Sequence, residues 1–394
     1  AGVKVMFSKN YVLYTWSVLF FILHDTTIGT EYQWSANIRY RLKTDTSSDV
    51  LPGNSSSFSE MRSRMGLDLL GDRVSGHFIL QDSRILGASE NSAGITNTTV
   101  SAFFHQAYFT FKTQRQEYKV GRFELPLGNQ RIIAKNNWNN IGRSFEGILV
   151  KRKNRFGDSR LFILPIVETK DTYHNDLKDN TLSGIYWTIP MTNLNEGSAI
   201  EPYIINYQDS LSQFSYNLFG ARADLKKGQF NLESEYALQN SSSISADLLS
   251  VNLGFRFKNI DWFNSLTFGT DLVSGDDLGT ETMEGFSKYF GARHKHHGYY
   301  DYKMHKKYFG HSHEGLKEYN LKGKFNFFKN TNLLIAYHDF SSNIGNIKYG
   351  QELDIIFKRK LVEELSSELG VAFYAPNNSE ETLSFYYFMI TASL

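Results

Sequence analysis

Residues Glu31–Lys43 read EYQWSANIRYRLK, and the alternation within them decides the fold. Tyr32, Trp34, Ala36, Ile38, Tyr40 and Leu42 fall on one parity; Gln33, Ser35, Asn37, Arg39, Arg41 and Lys43 fall on the other. A period of two sets these groups on opposite faces of a β-strand. An oily face backed by three cations fits two architectures. In a soluble sandwich the polar face meets bulk water. In a transmembrane barrel the oily face meets lipid and the cations line a pore.

The pattern recurs along the chain. Phe230, Leu232, Tyr236 and Leu238 oppose Asn231, Glu233 and Glu235. Leu249, Val251, Leu253, Phe255 and Phe257 oppose Ser250, Asn252, Gly254, Arg256 and Lys258. Tyr319, Leu321, Phe325 and Phe327 oppose Asn320, Lys322, Lys324 and Asn326, and Met61, Met65, Leu67 and Leu69 oppose Glu60, Arg62, Arg64 and Asp68. Strict alternation predicts half-buried strands. Leu361–Leu369 (LVEELSSEL) could pass for a helix but is short and lies between strand-like runs. Turn-rich connections are expected at Thr44–Ser59, Gly87–Thr99 and Gln239–Ser245.

Composition narrows the choice. With 41% hydrophobic residues the chain is too polar for a bundle of membrane helices, but a membrane barrel needs strands that are only half apolar. Aromatic residues reach 15% against six prolines, a balance that suits extended sheet and aromatic girdles. The absence of cysteine removes disulfides and cysteine metal sites. A net charge of +1 offers no global basic field for nucleic acid.

Lys4 and Lys9 precede the apolar run Tyr11–Leu23, and small or polar residues follow. Residues 1–29 therefore read as a secretory signal peptide, the apolar run being too short to span a bilayer as a helix. Residues 30–394, at roughly 20 residues per strand with its share of connection, give about 18 strands in one undivided domain. The last strand puts Tyr386, Phe388, Ile390, Ala392 and Leu394 on one parity, as outer-membrane barrels commonly do. The expected fold is an all-β, transmembrane antiparallel β-barrel in the cell outer membrane. The competing fold is a secreted β-sandwich that binds glycans, which accounts less well for Arg and Lys clustering on the polar parity.

Residues 120–147, VGRFELPLGNQRIIAKNNWNNIGRSFEG, set Arg122, Arg131 and Arg143 among Glu124, Glu146, Trp138 and several glycines. The stretch resembles the alginate-export family of outer-membrane porins, with its G-R-x-E-L-x-x-G-x-x-R followed by W-x-N-x-G-R-x-F-D-G. The matching residues are Gly121, Arg122, Glu124, Leu125, Gly128, Arg131, Trp138, Asn140, Gly142, Arg143, Phe145 and Gly147, with Glu146 in place of the usual Asp. Gly291–Asp301 (GARHKHHGYYD) is similar to the family's N-H-K-F-Y-G-Y-M-D at His294, Lys295, Gly298, Tyr299 and Asp301. Gly350–Ile355, Leu369–Gly370 and Phe373–Pro376 are similar to its closing pattern. The resemblance implies an 18-stranded barrel with an electropositive lumen that passes an anionic polysaccharide.

Arginine suits that chemistry, because its fork pairs planar carboxylates with two parallel hydrogen bonds and stays charged at any working pH. Candidate pore residues are Arg122, Arg131 and Arg143, with Glu124 and Glu146 holding them in place. Each of the three arginines is equally open to being a strut of the wall. Arg39, Arg41, Arg62, Arg64, Arg256, Lys322 and Lys324 face the lumen by parity and set its field. Trp138 is expected at an interface or turn. The expected partners are outer-membrane lipid, an anionic polysaccharide or small anions, and periplasmic export proteins, with no nucleic acid and no cofactor. A general or small-anion porin is the alternative within transport.

Other sites are set aside. The histidine-rich run His294–His313 reads as a basic loop outside the cell or folded into the mouth. Its His311-Ser312-His313 lacks the carboxylates to complete a metal site. Asp271–Asp277 (DLVSGDD) lacks calcium-loop spacing and reads as a strand end and turn. No nucleophile motif or P-loop is present, so no enzyme activity is expected.

Overall fold

Alternation becomes sheet throughout. The computed structural model describes residues 31–46, 56–86, 100–167, 180–210, 214–292, 294–300, 308–310, 313–377 and 381–394. The expected signal peptide lies outside them. The strands are β1 (Glu31–Asp45), β2 (Ser56–Leu70), β3 (Val74–Ile85), β4 (Val100–Lys112), β5 (Gln116–Phe123), β6 (Phe145–Asn154), β7 (Gly157–Val167), β8 (Asn180–Pro190) and β9 (Ala199–Asp209). They continue with β10 (Tyr216–Lys227), β11 (Phe230–Asn240), β12 (Ser245–Arg256), β13 (Phe263–Val273), β14 (Leu316–Phe328), β15 (Thr331–Ser341), β16 (Lys348–Lys360), β17 (Leu365–Pro376) and β18 (Leu383–Ser393). Each pairs antiparallel with the next, and β18 pairs with β1 from Asn37 opposite Ser393 to Asp45 opposite Phe385. The 18-stranded sheet is therefore closed, and closure removes the exposed edge that an apolar last strand would otherwise present. Strands run further than the turn-rich composition indicated: β1 and β2 reach Asp45 and Ser56, and only 241–244 separate β11 from β12. Leu361–Glu364 is a turn, not the start of a helix.

The outward face is oily. Trp34, Met65, Leu253, Phe268 and Ile163 are exposed while Arg39, Glu60, Arg62, Ser250 and Glu318 on the opposite parity are buried. At the end with short turns, Phe257, Trp262, Phe263 and Phe325 stack into a girdle, with Phe263 and Phe325 centroids 4.8 Å apart. Such a belt marks a membrane–water boundary.

At the other end, segment 124–144 and the described residues of 274–315 fold into the lumen. Their main chains meet, Ala134 N–H donating to Phe290 O at 2.8 Å and Ala292 N–H to Gln130 O at 2.9 Å. Leu125, Leu127, Ile133, Phe286 and Phe290 pack against Leu164, Leu182, Ile205 and Leu218 of the inner wall. An apolar core thus fills the lumen along β5–β12 at this end and continues through Leu316, Phe340 and Tyr374 toward β18. Gly121 and Gly147 face each other where the first segment leaves the wall. Both have positive φ (125° and 137°), and a Cβ would lie 2.4 Å from Ala107 O and 2.2 Å from Ile163 O respectively, so only glycine fits.

Candidate functional site: a basic wall and an inserted turn

The inner faces of β1 and β2 carry the cations that their parity predicts. Arg39 stands directly opposite Arg62, and Arg41 opposite Glu60. Arg41 donates to Glu60 Oε2 from Nε (3.1 Å) and Nη2 (2.5 Å), and Lys43 Nζ to Oε1 at 2.9 Å. Facing like charges are unfavourable across a sheet pair. Here Arg39 and Arg62 are met by an inserted turn instead of an acid. Arg39 donates to Asn137 O (2.6 Å) and Asn139 O (3.1 Å), and Arg62 to Asn137 O (3.3 Å). Among the described residues neither has a carboxylate within ion-pair distance, so neutral carbonyls solvate both charges without cancelling them. Gln81 and Ser83 of β3 grip the same turn at Ile141 O and Asn140 O. Trp138 lies over the Arg41 guanidinium at 4.5 Å and edge-on to Tyr299 and Tyr387. It sits on a turn, as expected, but inside the lumen.

Glu124 is the acidic hub of the inserted segment. It accepts from His105 (2.9 Å) and Asn137 (3.3 Å), with Arg64 at 3.5 Å and Lys135 at 3.9 Å. Burial alone would raise its carboxyl; the His105 hydrogen bond and the charges of Lys135 and Arg64 outweigh burial and hold it below the usual carboxylate range.

Arg131 is a strut rather than a pore contact. Its side chain is 3% exposed and pairs with Asp271, which is equally buried. Asp271, His297 and Glu318 bring ligand atoms within 4.8 Å of one another, the spacing of a metal site. The protein's own donors already occupy it. Arg131 holds Asp271, His338 Nδ1 reaches Glu318 Oε1 at 2.7 Å, and Lys288 Nζ lies 3.0 Å from His297 Nε2. An ammonium only donates, so Nε2 must accept and Nδ1–H donates to Glu318 Oε2 at 2.6 Å. A dication would have to displace three resident donors, and these residues do not fit one. This network brings together β13, β14, β15 and His297 of the histidine-rich run, whose residues 294–300 lie within the lumen while 301–307, 311 and 312 lie outside the described residues.

The remaining expected pore residues divide. Lys322 points inward and donates to His296 O at 3.2 Å; Arg256 and Lys324 face the lumen at the short-turn end. Arg143 donates to the main-chain oxygens of Tyr289 and Phe290, tying the two inserted segments together. Arg122 and Glu146 do not line the pore. They pair at 2.9 Å on the outer face, two residues from the outward Val120 and Ile148. The hydrogen-bonded row Trp34, Leu67, Phe78, Ala107, Arg122, Glu146 stays on that face. It begins near the short-turn end and rises by roughly 3 Å per tilted strand, which sets the ion pair near mid-wall. The motif resemblance drew these two residues into the pore; their strand parity, shared with Tyr118 and Val120, points outward.

The family model described as alginate export matches residues 30–378. Among solved structures the chain is similar to Acinetobacter baumannii OccAB4, with a TM-score of 0.64 at 10% identity, covering 94% of this chain and 100% of that one. It is also similar to Pseudomonas aeruginosa OpdK with vanillate (TM-score 0.64, 11% identity, 92% of this chain and 98% of that chain). A third is P. aeruginosa OccK2 (OpdF) in complex with glucuronate (TM-score 0.62, 11% identity, 92% and 98%). At these identities the likeness is one of fold. No curated protein matches the chain. A match over nearly the whole sequence and a closed barrel of the porin kind together place the chain in the alginate-export family, as a channel of the outer-membrane type and not an enzyme.

Proposed function

We propose that the protein is a passive outer-membrane channel for anionic solutes, with an acidic polysaccharide such as alginate as its cargo. The observation that carries this reading is the file of Arg39, Arg41, Lys43, Arg62 and Arg64 on one inner wall, in which Arg39 and Arg62 meet only carbonyl oxygens among the described residues. A solute carboxylate offers a guanidinium a stronger, charge-assisted partner than a carbonyl does. Exchange of one for the other lets a polyuronate advance through many shallow contacts instead of one deep one. Arg256, Lys322 and Lys324 extend the positive field along the lumen.

A small-anion porin is the second reading. It is favoured by the depth at which the inserted turn covers Arg41, fully buried beneath Trp138. The structures of OpdK with vanillate and OccK2 with glucuronate show that this fold accommodates small carboxylates elsewhere. Single channels in planar bilayers separate the readings. Anion-selective reversal potentials with block by oligouronates support polysaccharide passage. Anion selectivity without oligouronate block supports the small-anion porin. Cation-selective current refutes both.

A further inference from the structure

At the short-turn end, the β10–β16 side of the lumen opens into a cavity of about 740 Å³, away from both inserted segments. In outer-membrane barrels this end faces the periplasm. Arg256 and Lys324 lie in one inward row, each opposite Ser265, two strand spacings or about 10 Å apart. Neither side chain has a hydrogen-bond or ion-pair partner among the described residues. The constriction differs. There Arg41 and Lys43 share Glu60, Arg64 has Glu124, Arg131 has Asp271, and Arg39 and Arg62 hold carbonyls. The vestibule thus holds lumen cations ready to bind without first releasing a resident group.

Apart from Glu196 at its edge, the rest of the cavity suits a sugar acid. Asn231, Asn326 and Asn332 line it with amides, each able to donate to and accept from hydroxyls. Leu334, with Ile356 buried beside it, supplies an apolar floor against which the C–H face of a pyranose can lie. Unpaired cations, amides and an apolar floor together recognise a uronic acid residue better than a simple inorganic anion, which would use the cations alone.

We propose that this vestibule is a loading site for a short run of uronate residues, entered from the periplasm before the constriction. The proposal rests on the anionic-solute reading above and adds a place and a direction to it. The test uses the full barrel in planar bilayers with a uronic acid trisaccharide added to one side at a time, and its methyl ester as the uncharged control. Wild-type channels are expected to block at lower trisaccharide concentration from the periplasmic side. R256Q/K324Q, which removes both charge-assisted contacts, raises the half-blocking concentration at least about tenfold from that side and less than about twofold from the other. N332L, which fills the cavity without altering charge, produces a shift in the same direction. Heat-modifiable gel migration verifies that each variant forms the barrel. Wild-type block with both variants unchanged from the periplasmic side, or weakened equally from both sides, overturns the loading site alone. A wild-type channel blocked from neither side overturns the polysaccharide reading on which it rests.

Discussion

Arg131→Met tests whether the inserted segment is pinned from within. The Arg131 side chain is 3% exposed, and its guanidinium pairs with Asp271 on β13. Burial alone would lower its proton affinity, but the charges of Asp271, Glu235 and Glu318 outweigh burial and raise it. Methionine keeps the length of the stem and removes the charge, leaving Asp271 without its buried cation. Removing one partner of a buried pair costs about 3–5 kcal/mol. Charged to the docking of segment 124–144, that is a rise of more than about a hundredfold in its undocked population. Hydrogen exchange reads the change directly. The Ala134 amide donates to Phe290 O across the two segments, so its exchange rate follows the undocked fraction. Protection over 132–144 is expected to fall more than about a hundredfold, with larger and noisier single-channel current. R131M/D271N removes both charges and recovers most of the loss. The barrel wall keeps its own hydrogen bonds, so heat-modifiable migration persists. If R131M exchanges at the wild-type rate and conducts as quietly, the ion pair does not pin the segment.

Leu253 and Asn252 are neighbours on opposite faces of β12; Leu253→Arg is expected to cost about 2–4 kcal/mol in folding into vesicles, and Asn252→Arg far less. Equal costs would contradict the orientation of the wall. Trp138→Ala strips the ring from Arg41 and from two tyrosines; cation–π and ring–ring terms together loosen the turn by about 3 kcal/mol, read as increased anion current. Burial and the neighbouring Lys288 push the His297 imidazole down to about 3 despite Glu318, so the docked segment holds it neutral. Docking is then strongest above the ordinary histidine value of about 6.5 and weakens as pH falls toward 3, because the undocked imidazole takes up the proton first. Exchange protection of 274–292 measured from pH 7 to 4 should decline in wild type and stay flatter in H297Q.

The wall was legible where a strand is oily on one side only. Glu31–Lys43 fixed the orientation of Arg39 and Arg41, and Tyr319–Phe327 that of Lys322 and Lys324. Strands such as β7, with its run LFILPI at 161–166, gave no such signal, because Phe162 and Leu164 point into an apolar lumen while Leu161 and Ile163 face outward. Arg131 and Arg143 lie in segments without a period, so spacing could not tell a strut from a pore contact. The Asp271–His297–Glu318 network was hidden for another reason: its members are far apart in sequence and meet only when the long β13–β14 connection turns inward. Asn137 carries no chemical mark in the sequence at all; its role is played by a main-chain oxygen.

The apolar filling makes this tube solid along much of its long-loop end. Above the vestibule its staves are wet by oil on the outside and backed by leucine, tyrosine and phenylalanine on the inside, so water and sugar have little business there. Whatever crosses must pass between sheet and inserted loop, with charged staves on one side of it. The bore is therefore set by two insertions and not by the number of strands. A lineage that needed a different cargo could recut those insertions while leaving every plank of the hull in place.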